Sequence, residues 1–287
     1  MSKILVTGSN GQLGNEIRVI AQSSNNTFEF TDVAELDITK PEAIEDFLQN
    51  KSFDYMINCA AYTAVDKAET DIEFATLLNS KAPEFLAQAC NKHSIKFIQI
   101  STDYVFDGKN YKPYVETDVV SPQSVYGKTK LDGENAALQA NSHTMVIRTS
   151  WLYSTFGNNF VKTMIRLGNE RDTLGVIFDQ VGTPTYAADL AQSIVTIIDS
   201  IESKNNEFIS GIYHFSNEGA CSWYDFAKEI HNIAHIQCHV NPIETKDYPT
   251  PAARPHYSIL NKAKIKTNYN IQIPHWKKSL EICIAQL

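Results

Sequence analysis

At 287 residues the chain is long enough for one large α/β unit with a smaller appendage, and 43% hydrophobic residues with 10% aromatics exclude the disordered and fibrous classes. A formal charge of -8 with a pI near 5.5 argues against general affinity for nucleic acid or anionic membranes, which require a concentrated basic surface. Cys59, Cys90, Cys221, Cys238 and Cys283 are scattered, with no pair at metal-ligand spacing, and read as reduced thiols.

Met1 to Ser9 runs straight into a strand, Lys3 to Thr7, and a glycine loop, with no cationic and apolar leader. No apolar run approaches the ~20 residues that span a bilayer, so the cytoplasm is the expected compartment. A helix from about Gly11 to Gln22 follows, then a strand over Phe28 to Asp32, a helix beginning near Pro41, and a buried strand over Tyr55 to Cys59. Asp71 to His93 carries apolar residues at helical spacing (Phe74, Leu77, Leu78, Phe85, Leu86, Ala89) and precedes a strand over Lys96 to Ile100. A helix over Ser124 to Asn141 and a strand over Thr144 to Thr149 complete a Rossmann-like succession of βαβ units around a parallel sheet. Beyond Trp151 the pattern weakens. It suggests helices near Asn158 to Gly168, Ala187 to Ser200 and Trp223 to Ala234, an extended piece over Phe178 to Pro184, a strand over Tyr213 to Phe215, and a proline-rich loop over a pocket at Tyr248 to Pro255.

Between the first strand and first helix lies Val6-Thr7-Gly8-Ser9-Asn10-Gly11-Gln12-Leu13-Gly14. A helix N-terminus offers unpaired N–H groups and a favourable dipole to a pyrophosphate, and glycines permit close approach of backbone to phosphate. The spacing is GxxGxxG, a departure from GxGxxG, and its setting between strand and helix is what makes Gly8, Asn10, Gly11, Gln12, Leu13 and Gly14 a dinucleotide loop. Asp32 stands where a carboxylate accepts hydrogen bonds from the adenosine ribose, and Val33 offers no cation for a 2′-phosphate. That favours NADH, unless Arg18 or Lys40 reaches the same place. Asp37 and Ile38 are a second candidate adenine contact; Asp37 could equally cap the next helix near Thr39.

Tyr126 and Lys130, four residues apart, share one helix face. A free phenol, with a pKa near ~10, needs a neighbouring ammonium and a placed hydrogen bond to exchange protons near neutrality. Alone, the pattern also fits a surface helix with one tyrosine against the core. Its place after a strand ending in Ser101-Thr102-Asp103 favours chemistry, since ligands bind outside the carboxyl ends of parallel strands. The Thr102 hydroxyl can donate to a substrate oxygen.

Loop, hydroxyl and Tyr/Lys pair together resemble the extended short-chain dehydrogenase/reductase family. Within it, the stretches Asn58 to Glu69, Ser101 to Gly108, Arg148 to Trp151, Gly157 to Phe160, Asp179 to Thr185, Gly211 to His214 and Tyr248 to Pro255 resemble the dTDP-4-dehydrorhamnose reductases almost end to end. The resemblance implies an α/β fold: a Rossmann-like doubly wound parallel sheet over residues 1–152, with a returning segment near 185–212, and a smaller mixed α/β C-terminal substrate lobe over 153–287. It implies reduction of a nucleotide-linked 4-keto sugar by NADPH or NADH, in a monomer or homodimer. Tyr126 would be the general acid, Lys130 would hold the nicotinamide ribose, and Thr102 would orient the carbonyl.

By the same resemblance Ala60, Ala61 and Tyr62 line the coenzyme, while Asp103, Tyr104 and Trp151 face the sugar. Arg254 lies near the substrate's pyrophosphate or base. Trp151 could instead be inter-lobe packing, and Arg254 a solvated surface residue. Some family members bind Mg²⁺ at a dimer interface; Glu16 and Asp189 stand at matching positions, but Ala188 interrupts the acidic pair, so no metal ligands are assigned. Related dehydratases carry Thr-Asp-Glu where this chain has Thr102-Asp103-Tyr104, and so it lacks the carboxylate that abstracts a sugar C5 proton. The regulatory β subunit of methionine adenosyltransferase also resembles the family, but the intact Thr102/Tyr126/Lys130 set favours an enzyme.

Overall fold

The computed structural model describes residues 1–287. The first half runs β1 (Lys3–Thr7), α1 (Gln12–Ala21), β2 (Thr27–Thr31), α2 (Pro41–Leu48), β3 (Tyr55–Asn58), α3 (Val65–Ala68), α4 (Ile72–Thr76), α5 (Ala82–Lys92), β4 (Lys96–Thr102), α6 (Val125–Ala140) and β5 (Thr144–Thr149). The second half runs β6 (Leu152–Tyr153), α7 (Phe160–Glu170), β7 (Thr173–Ile177), β8 (Val181–Gly182), β9 (Thr185–Tyr186), α8 (Ala187–Glu202), β10 (Gly211–His214), β11 (Cys221–Ser222), α9 (Trp223–Ile233), β12 (His239–Ile243), α10 (Ala263–Tyr269) and α11 (Trp276–Ile284). No helix is long and apolar enough to cross a membrane.

Six parallel strands form the central sheet in the order β10-β5-β4-β3-β1-β2. Side chains alternate across it as the pleat requires. Ile4, Val6, Tyr55, Ile57, Ile98 and Ile147 face α1 and α8, meeting Ile17, Leu190, Ile194 and Ile198. Leu5, Met56 and Phe97 face the other side, meeting Leu48, Leu86, Cys90 and Ala137. Helices therefore cover both faces, and burying each large apolar side chain contributes about 1.5–3 kcal/mol relative to exposure. A separate apolar cluster, including Val161, Met164, Leu174, Phe226, Ile230 and Leu280, holds together α7, β7, α9 and α11.

The chain leaves β1 for β2 on one side and returns as β3 on the other. The connections diverge there, opening a crevice at the carboxyl ends of β1 and β3.

The helical spacing over Asp71 to His93 is not one helix. A π-turn at Leu77–Lys81 separates α4 from α5. Pro83 has no N–H to return to the Asn79 carbonyl, which breaks the regular ladder. The extended piece expected over Phe178 to Pro184 is displaced: the longer strand is β7, ending at Ile177, and only Val181 and Gly182 pair within the expected span.

Candidate active site

The loop after β1 reaches the crevice under tight steric terms. Gly8 has φ +65°, and a Cβ there would lie 2.5 Å from the Ala60 nitrogen after β3. A Cβ on Gly14 would lie 2.5 Å from Ser9 Cα. Both positions exclude a side chain, so bare backbone faces the N-terminus of α1. Asp32 fixes the loop by accepting from the Asn10 amide (3.0 Å) and the Val33 amide (2.8 Å).

A cleft of about 890 Å³ opens beside this loop. It brings together Gly8, Gly11, Gln12, Leu13, Asp32, Asp37, Ile38, Ala60, Ala61, Thr102, Asp103, Tyr104, Tyr126, Lys130 and Trp151. Four expected site residues do not line it. Asn10 contributes its amide to Asp32, and Gly14 is packed beneath Ser9. Tyr62 is turned into its own cluster with Ala68 and Ala75, its hydroxyl donating to Asp71 (3.0 Å) and its amide to Asn79 Oδ1 (2.8 Å). Neighbouring Phe74 and Leu78 reach the cleft in its stead. Arg254 forms a two-point pair with Asp66 of α3 (2.9 and 2.7 Å) and lines a smaller adjoining hollow of about 160 Å³ beside Tyr104. It is thus paired within the chain and half-buried, not a solvated surface arginine.

The two readings of Asp37 resolve locally. Its carboxylate accepts from the Thr39 amide (3.1 Å) and hydroxyl (2.6 Å) and pairs with Lys40 (3.0 Å); these contacts, the Thr39 hydroxyl first, hold it below the usual carboxylate range. It orders the turn before α2 without capping that helix, and it lines the cleft. Arg18 lies over the Phe30 ring (4.3 Å) and donates to Ser9 Oγ (3.0 Å). Both basic candidates for a 2′-phosphate thus have partners.

Ser124 caps α6 by accepting from the Gly127 amide (3.1 Å), which sets Tyr126 in the first turn and Lys130 one turn on. Lys130 Nζ donates to the Ile100 carbonyl at 2.7 Å. Thr102 Oγ1 donates to Asp103 Oδ1 (3.0 Å) and accepts from the Tyr104 amide (3.2 Å). The Tyr104 and Tyr126 rings meet edge to face at 5.4 Å. Burial pushes the Tyr126 phenol up to about 12 against the pull of the Thr102 hydroxyl, so it is a neutral acid around neutrality. Burial draws Lys130 down to about 8, with Glu134 opposing. Burial lifts Asp103 to about 6 against the pull of the Ser258 and Thr102 hydroxyls, and its carboxylate lies in the cleft wall.

Trp151, at φ +48°, stacks on Trp223 with centroids 3.5 Å apart and planes 8° apart. It is both cleft wall and inter-element packing. Asn159 Nδ2 donates to Gln12 Oε1 (3.0 Å), tying the cap of α7 to the glycine loop. Gly157, Asn158 and Asn159 line the cleft although no sequence pattern marked them as coenzyme contacts.

Glu16 and Asp189 both have partners within the chain. Glu16 is 4% exposed and accepts from Ser154 Oγ (2.6 Å). Asp189 accepts from Asn217 Nδ2 (2.6 Å) and Ser279 Oγ (2.5 Å).

A dinucleotide suits this cleft: side-chain-free backbone at a helix N-terminus and a carboxylate at the end of β2, with the Tyr/Thr/Lys set at the far end. Comparison with known proteins agrees. The family model described as RmlD substrate binding domain matches residues 2–287. The dTDP-4-dehydrorhamnose reductase of Aggregatibacter actinomycetemcomitans is 40% identical, covering 98% of each chain. A crystal structure of a dTDP-4-dehydrorhamnose reductase from Clostridium acetobutylicum superposes with a TM-score of 0.92 at 45% identity, covering 99% of each chain. That of the Bacillus anthracis enzyme in complex with NADP gives 0.94 at 37%, covering 100% of this chain and 99% of the other. With its full-length match and its cleft at the switch point of a parallel sheet, the chain belongs to the RmlD substrate-binding family, the family of the dTDP-4-dehydrorhamnose reductases.

Proposed function

We propose that the chain reduces the 4-keto group of dTDP-4-dehydro-L-rhamnose to give dTDP-L-rhamnose, with NAD(P)H as reductant. The observation that carries this reading is the meeting of Thr102, Tyr126 and Lys130 beside the glycine loop in one cleft, with Tyr104 rather than a carboxylate after Asp103. Gly8, Gly11, Gln12 and Leu13 would hold the pyrophosphate, Asp32 with Ile38 the adenosine, and Ala60, Ala61 and Lys130 the nicotinamide half. Bound there, the reduced nicotinamide supplies hydride for the sugar carbon.

The protein's own part is proton transfer and placement. Tyr126, protonated because burial disfavours its anion, releases its phenolic proton to the sugar oxygen as negative charge develops there. The Lys130 ammonium favours the resulting phenolate, and the Thr102 hydroxyl can turn from Asp103 to the carbonyl oxygen. Asp103 supplies an acceptor for a sugar hydroxyl, and Trp151 a flat apolar wall that excludes water.

Coenzyme choice follows from the end of β2. Asp32 would accept from the ribose, while Arg18 and Lys40 are partnered, so NADH should serve at least as well as NADPH. We further assign 1–152 with the returning segment near 185–212 to the coenzyme domain and the rest of 153–287 to the substrate lobe, in a monomer or homodimer. The test is loss of nicotinamide absorbance when the protein meets NADH or NADPH and enzymatically generated dTDP-4-dehydrorhamnose. Substrate-dependent oxidation is expected. Its absence with both coenzymes would overturn the reading.

A further inference from the structure

Lys130 is a buried cation in an unusual electrostatic position. It is 4% exposed, and its one protein hydrogen bond is to the Ile100 carbonyl. One turn further along the same face of α6 lies Glu134, 1% exposed. Its carboxylate is held from three directions: Arg148 Nε reaches both oxygens (3.0 and 3.1 Å), Arg148 Nη2 one of them (2.7 Å), and Ser101 Oγ donates to Oε1. Arg148 sits on β5 opposite Ser101 on β4, which follows Ile100 and precedes Thr102. The carboxylate is thus anchored to the strand segment that carries both Lys130's acceptor and the catalytic hydroxyl.

We propose that Glu134 is a positioning residue for Lys130, its clamped carboxylate keeping the buried ammonium protonated and seated on the Ile100 carbonyl. This rests on the role given to Lys130 above. The other groups around that ammonium do not supply the counter-charge. On α6, Tyr126 is a neutral phenol near pH 7. After β3, burial pushes the Cys59 thiol up to about 12, leaving it neutral. After β4, Asp103, its carboxyl lifted to about 6 and so still largely ionised at pH 7, is engaged by Thr102 and makes neither an ion pair nor a hydrogen bond with Lys130; the carboxylate that acts on that ammonium is Glu134. From β5, Arg148 is a cation. Behind it on β10, burial and Arg148 hold His214 down to about 3, uncharged. Glu134 is the anion that offsets the desolvation of Lys130.

The test reads Lys130 itself in the coenzyme-free protein. Competitive acetic anhydride labelling across pH, resolved by peptide mass spectrometry, gives its titration midpoint. In Glu134→Gln the midpoint should fall by about one pH unit or more, since a compensating anion is lost in a buried site. The double variant Glu134→Gln/Arg148→Met leaves neither partner of the buried pair charged and alone, and carries the test if the single variant does not fold. Its midpoint should also fall, whereas Arg148→Met, which keeps the carboxylate, should not drop below wild type. The basic limb of the turnover profile should move to lower pH with the midpoint. An unmoved midpoint in the variants lacking the carboxylate, or an equal fall in Arg148→Met, overturns the proposal. Labelling needs no turnover, so absence of reductase activity would count against the function proposed above and leave this result readable.

Discussion

Replacing Gly8 by alanine separates steric design at the switch point from ordinary loop tolerance. The new Cβ would sit 2.5–2.8 Å from the nitrogen, Cα and Cβ of Ala60, on a backbone held at φ +65°. The left-handed region costs an L-residue about 1–2 kcal/mol. Forcing a methyl against close-packed backbone costs about 1–3 kcal/mol more, and the stiffer unfolded chain returns about 0.4–1 kcal/mol. The net loss is about 1–4.6 kcal/mol, which at ~2–4 °C per kcal/mol lowers the melting midpoint by ~2–18 °C. Gly11→Ala is the matched control. Its φ is negative, and its Cβ would meet only the Gly8 carbonyl, at 3.3 Å, which must give by a few tenths of an ångström; with the weaker cap of alanine the cost is about 1 kcal/mol. Thermal melts by circular dichroism, with NADH titrations on the same samples, should rank Gly8→Ala well below Gly11→Ala in stability, with coenzyme affinity reduced as Ala60 is pushed aside. Equal midpoints for the two variants would refute the close approach of the β1 and β3 ends.

Three further outcomes are expected. Tyr126→Phe should lower kcat by ~10²–10⁴-fold while NADH binding, measured by fluorescence, stays near wild type; retained turnover would remove the acid role. Trp223→Ala takes the partner from behind Trp151, a stack worth about 0.5–1.5 kcal/mol, so KM for the sugar nucleotide should rise about 2- to 12-fold without loss of coenzyme affinity. Asp66→Asn should speed hydrogen exchange in the 248–256 loop, because Asp66 holds both Arg254 and the Ala252 amide. The hydrogen bond from Arg254 holds the Asp66 carboxyl below its ordinary range. Its contribution to stability is therefore present above the ordinary carboxylate pKa and lost only as pH falls through the depressed folded value, so in wild type the loop should stay protected at pH 5. Equal exchange at pH 5 in both proteins would contradict the clamp.

The parallel half was legible because its signals are local. β1, β3 and β4 are apolar runs bounded by turns, α1 opens on glycines, and Thr102, Tyr126 and Lys130 stand at strand and helix ends whose placement follows from the alternation itself. The second half lacked such signals. β6, β8, β9 and β11 are two residues long, too short for alternation to register. β12 contains Pro242, which argues against a strand, yet it pairs with β7 alone, as an edge that tolerates the missing N–H. Contacts that redefine single residues were the least readable. Arg254 meets Asp66 across 188 positions, and the Trp151 stack on Trp223 depends on how two distant elements fold together. Tyr62 stood in a motif beside Ala60 and Ala61, but the π-turn brings Asn79 to its backbone and carries the ring away from the cleft.

The return of the chain to the central sheet makes its two halves inseparable. α8 supplies Leu190, Ile194 and Ile198 to the face of β1, β3 and β4, and β10 completes the sheet beside β5. A fragment ending at residue 152 would present that face to water as a broad aliphatic plain, open to association with other copies. Recombination between relatives at that boundary would have to preserve the fit of α8 to α1, so the central sheet and its cover are inherited as two stretches of sequence bound to one interior, not as a portable module.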